Sequence, residues 1–66
     1  MDHRVSKPTA RLIGEDGNVF NLIGLAARAL KEVGQRAEAK EMTTRCFAAH
    51  SYDEALAIIA EYVEIR

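Results

Sequence analysis

Residues Leu12 to Gly34 read LIGEDGNVFNLIGLAARALKEVG, and this stretch decides the fold. It opens as the end of an extended run that stops at Gly14. Glu15-Asp16-Gly17-Asn18 is then a turn by its chemistry: Asp and Asn side chains bond nearby backbone, and Gly tolerates positive φ. The turn leads into an apolar segment, predicted as a helix from Val19 to Val33, with Asp16 or Asn18 as N-cap and Gly34 as the residue just past its end. On a helical wheel Asn21, Gly24, Arg28, Lys31 and Glu32 share one narrow arc, and apolar residues fill the rest. A helix apolar over most of its circumference is buried by more than one neighbour. This one is therefore expected at the centre of the domain. Gly24 weakens a helix interior relative to Ala, so close approach of another backbone is expected there.

Upstream, Thr9 to Gly14 alternates as a strand, with Ala10 and Leu12 on one face and Arg11 and Ile13 on the other. Pro8 suits the first position of such a strand. Downstream, a second helix is expected over about residues 36–50. Ala39, Met42, Cys46 and Ala49 form its apolar seam, and Glu41 and Arg45 an i,i+4 pair. The tight Gly34-Gln35 link predicts an antiparallel hairpin with the first helix. A third helix starts at Ser51-Tyr52-Asp53-Glu54, a capping box ahead of an apolar run. Tyr52, Ala55, Leu56, Ile59, Tyr62 and Val63 line its inner face. Val63 to Arg66 alternates apolar and charged residues, and an extended end would give strand 9–14 a partner. Without one, backbone groups stay unpaired, unless the strand pairs across a two-fold axis in a homodimer.

The predicted fold class is α+β: an N-terminal strand, three helices with the first central, and a short C-terminal strand. Residues 1–8 read as a flexible polar tail and 9–66 as one small domain. The predicted core is Leu12, Phe20, Ile23, Ala27, Leu30, Met42, Cys46, Leu56, Ile59 and Val63. A chain of 66 residues buries only about 60 % of its unfolded surface, so its stability is marginal. One cysteine allows no intramolecular disulfide and fits a reducing cytoplasm. No run of membrane length and no secretory signal pattern is present. A net charge of −1 argues against a dedicated nucleic-acid binder.

Two segments carry a family resemblance. Residues 12–24 resemble an "(I/V)G-x-DGNAF-x-(I/L)-(I/L)-G" opening. Ser51-Tyr-Asp-Glu-Ala-Leu with Tyr62-Val-Glu-Ile resembles the "(G/S)DYD-x-L…YVEV" close of the same group. These are small uncharacterised bacterial proteins, often on phages and other mobile elements. The resemblance spans residues 9–66 and departs at Val19, where Ala is expected, and at His50-Ser51, where a Gly-Asp-like turn is expected. It implies the fold above, and no activity, cofactor or catalytic residue.

Chemistry is sparse. The turn at 14–18 lacks a phosphate-binding pattern, and Glu15 and Asp16 would repel an anion, so a capped helix start is the better reading. Cys46 and His50, at i,i+4, could supply two metal ligands, but a closed zinc site needs four and the only other histidine is His3. A mid-helix cysteine in an apolar seam is usually inert as a nucleophile. Asp53, Glu54, Glu61 and Glu64 read as a solubilising acidic face. Phe20, Tyr52 and Tyr62 read as core by their periodicity.

One candidate surface emerges on the second helix: Arg36, Lys40, Thr43, Thr44 and Phe47 fall on one side. It could meet an acidic partner or single-stranded nucleic acid, and the competing reading is a solvated face with Phe47 tucked under the N-terminal segment. The expected function is a small non-enzymatic protein-interaction module of a bacterial, phage or mobile-element system, cytoplasmic, without cofactor, metal or membrane contact, and with an unidentified protein partner. The alternative is weak nucleic-acid association through Arg36, Lys40 and Arg45.

Overall fold

A computed structural model describes residues 7–14 and 17–66. Its elements run β1 (Thr9–Ala10), α1 (Val19–Glu32), α2 (Arg36–Phe47), α3 (Tyr52–Tyr62) and β2 (Glu64–Ile65). The fold is α+β. The extended C-terminal end is borne out: β1 and β2 pair in parallel, Thr9 opposite Glu64 and Ala10 opposite Ile65. The strand expected over residues 9–14 is shorter, Thr9–Ala10, since the Leu12 and Ile13 N–H groups converge on one carbonyl. The Glu64 N–H donates to the Pro8 carbonyl at 2.8 Å, and the Arg66 N–H to that of Ala10 at 2.9 Å. The Leu12 and Ile13 N–H groups both donate to the Arg66 carbonyl. Parallel strands need a long crossover, and here three helices supply it. The expected tail falls mostly outside the described residues, as do His3, Glu15 and Asp16. Lys7 and Pro8 belong to the fold: Pro8 joins the ladder, and the Lys7 ammonium donates to the Ala60 carbonyl at 2.9 Å.

Local chemistry explains four of the six helix boundaries. Asn18, in extended backbone, starts α1, and its Oδ1 accepts from the Phe20 N–H at 2.8 Å. Gly34, at φ +82°, ends it. The Gln35 N–H reaches the Leu30 carbonyl and the Gly34 N–H that of Lys31, which is a Schellman closure. Helix α2 ends at Phe47 rather than near residue 50. Ser51 must be extended to cap α3 (φ −155°, ψ 163°), so the chain leaves helical geometry first. The Ser51 Oγ accepts from the Glu54 N–H at 3.0 Å, and Glu54 reaches one residue beyond the expected box, accepting from the His50 N–H at 3.2 Å.

The core gathers Leu12, Ile23, Ala27, Leu30, Met42, Cys46, Ile59 and Val63 as expected, joined by Ala10, Leu22, Ala26, Ala39 and Ile58. Helix α1 packs on α2, α3 and β1, which makes it the hub. Two members of the predicted core list are corrected. Leu56 is only half-buried, because the inner face of α3 is centred on Ala55, Ile58 and Ile59. Phe20 is not core: it is 64 % exposed, since the buried stripe of α1 follows Leu22, Ile23, Ala26 and Leu30.

Candidate functional site

The Phe20 and Phe47 rings touch, with centroids 5.7 Å apart and planes tilted by 40°. The start of α1 therefore meets the end of α2, while residues 33–35 join their other ends. The two helices form the expected antiparallel pair. Phe47 is 61 % exposed and does not tuck under the N-terminal segment. Tyr52 is 46 % exposed, and its hydroxyl lies beside Gly17, where an added Cβ would approach it to 3.8 Å. So three of the large apolar side chains that remain exposed collect in one place. They rim an open groove of about 280 Å³ between the start of α1, the end of α2 and the start of α3. Val19, Ile23, Cys46, His50 and Ala55 are among the other residues that line it.

Helical geometry extends this site along α2. Lys40 lies seven residues before Phe47 and Arg36 eleven, and either step returns to within about 20° of the same direction. Arg36, Lys40, Thr44 and Phe47 are all exposed. Thr43 is half-buried and donates its hydroxyl to the Ala39 carbonyl at 2.8 Å, so it serves the helix first. On α1, Lys31 lies eleven residues after Phe20 and points the same way, with Gly24 between them. Because the helices are antiparallel, Lys31 and Arg36 both lie toward the far end of this face. Lys31, Arg36 and Lys40 make no ion pair among the described residues. Gly24 is exposed, and a Cβ added there would meet nothing within 4 Å. The close backbone approach expected at Gly24 is thus not made inside the fold.

The other flank of α2 is structural. The Arg45 guanidinium grips Glu61 with two bonds, at 2.7 and 3.2 Å, and donates to the Tyr62 hydroxyl at 3.1 Å. That hydroxyl donates to Glu41 at 2.8 Å. The expected Glu41–Arg45 pair is replaced by this bridge to α3, because Tyr62 stands between them, with its ring 5.8 Å from the guanidinium carbon. Bonding to Arg45 holds the Glu61 carboxyl below its ordinary range, and bonding to Glu61 pushes Arg45 further up. Tyr62 is half-buried rather than core. Burial raises its hydroxyl, and also raises the Cys46 thiol, whose Sγ lies 3.8 Å from the Ala55 carbonyl oxygen.

His50 is exposed, one turn beyond the buried Cys46, and no group of three potential metal ligands exists among the described residues. No helix there is long and apolar enough to cross a membrane. Periodicity missed Phe20 and Tyr52 as surface residues, and it placed Lys31 on the polar arc of α1 without joining it to the α2 surface. The eleven-residue spacing from Phe20 to Lys31, read together with the hairpin, is the signal that could have found Lys31. No protein-family model, curated protein or solved structure matches the chain.

Proposed function

We propose that this chain is a small non-enzymatic protein-interaction module that docks a partner protein through the Phe20–Phe47–Tyr52 groove. The observation that carries the reading is the clustering of three exposed aromatic side chains around one groove. Scattered exposed apolar residues are ordinary, but a cluster rimmed by polar groups marks an interaction site. Aromatic residues also dominate the energetic centres of protein interfaces. The setting, an accessory protein of a bacterial, phage or mobile-element system, rests on the resemblance of residues 12–24 and 51–65. The lone cysteine fits a cytoplasmic compartment. The nucleic-acid alternative loses one of its three cations, since Arg45 is engaged by Glu61.

Tagged wild-type protein and its Phe47→Ala variant, each incubated with host lysate with and without nuclease, test the reading. A discrete protein held by wild type, resistant to nuclease and lost by the variant is the expected outcome. Capture that is indifferent to Phe47, or that vanishes with nuclease, would overturn it. The variant stays folded, because an exposed substitution away from the core typically changes stability by no more than about 0.5 kcal/mol.

A further inference from the structure

We infer that the occupant of this surface is an acidic amphipathic helix, its apolar anchor seated between Phe20, Phe47 and Tyr52 and its carboxylates lying along Lys31, Arg36 and Lys40. The inference rests on the docking groove proposed above and adds the class and direction of the partner.

Charge complementarity carries it. Three exposed cations share one face, and none has an acidic partner among the described residues. The acidic groups of α2, Glu38 and Glu41, lie on its other flank by helical spacing, and Glu41 is held by Tyr62. Glu32 is paired with Arg28 at 3.5 Å. The opposite end of the groove is different. Asp53 and Glu54 open α3 beside Tyr52, and Glu54 holds the His50 N–H. An acidic segment would be repelled there and attracted toward the α1–α2 link. That asymmetry fixes the direction: apolar anchor at the aromatic end, carboxylates about 10–16 Å away along two to three helical turns.

Gly24 fits the same occupant. It sits on this face between Phe20 and Lys31, and nothing within the fold requires a glycine there. A missing side chain on an exposed face leaves room for a partner backbone to come close, beside the groove that would take the anchors of an amphipathic helix.

The probe is a synthetic amphipathic helix with Leu and Phe anchors at i, i+3 and i+7 and Glu on its flanks. A second peptide carries the same anchors with Lys in place of Glu. Each is titrated into isotope-labelled full-length protein and followed by amide chemical shifts. The acidic peptide should shift Phe20, Gly24, Phe47 and Tyr52 together with Lys31, Arg36 and Lys40. Its affinity should fall with salt, and fall roughly tenfold in the Arg36→Glu/Lys40→Glu variant. Gly24→Gln should remove binding while leaving the melting temperature unchanged or raised.

Equal binding of both peptides at the aromatic residues would overturn the acidic assignment and leave the groove standing. No shift at Phe20, Phe47 or Tyr52 with either peptide would overturn both. Shifts that appear on concentrating the protein alone would assign the face to a second copy. Displacement of the acidic peptide by a single-stranded oligonucleotide would assign it to nucleic acid.

Discussion

Two glycines show how differently the same residue type is used. Gly34 sits at φ +82°, where a side chain is strained, and closes α1. Gly24 lies inside α1 with open space around it. Gly34→Ala should therefore destabilise the protein by about 1 kcal/mol, and Gly24→Ala should stabilise it by about 0.5–1 kcal/mol. Denaturant melts of the two variants should move in opposite directions. Cys46 offers a second check at this scale. Buried under α3 and with its thiol pushed up, it should react slowly with a thiol reagent at neutral pH and rapidly once unfolded. Single residues were only partly legible in sequence. Leu30, Met42 and Ile59 were placed correctly because each falls on a face that repeats with helical period. Phe20 misled because aromatic character and periodicity both predict burial. On a helix apolar almost all the way round, though, neither says which arc turns inward.

Helix ends were more legible than helix faces, since caps are local chemistry. Asn18, Gly34 and Ser51 each do what their residue type predicts. Pairing between elements was less so, and Arg45 illustrates why. Sequence spacing offered it Glu41, but the packing of α2 on α3 brought a better-aligned carboxylate from Glu61 and the Tyr62 ring. This bridge gives a pH dependence whose sign can be worked out. The Glu61 carboxyl is held below its ordinary range. Its contribution is present above the unfolded value and is lost as pH falls through the folded one. The melting temperature of wild type should thus exceed that of Glu61→Gln at neutral pH and converge with it in acid. Because the pair is exposed, the difference should be small and should shrink in high salt.

At the scale of the whole molecule, the packing of three helices brings two short strands side by side. Ile59 is fully buried where α3 faces the hub helix. Ile59→Ala should cost about 2–5 kcal/mol, enough to unfold much of so small a domain at room temperature, as circular dichroism would record. A variant that melts like wild type would show that the core is centred elsewhere. The α+β class was legible because an orphan strand at one end of the chain needs a partner, and residues 63–66 were the available match. The groove was not legible, because it exists only where three helix ends converge. The parallel pairing of β1 and β2 also has a mechanical side. A pull on Lys7 and an opposite pull on Arg66 run along the strands rather than across them. The ladder bonds then bear the load in shear, all together, instead of parting one by one. A tether attached at both ends would thus strain the sheet as a unit and leave the aromatic groove, built by the helices, outside the direct line of force.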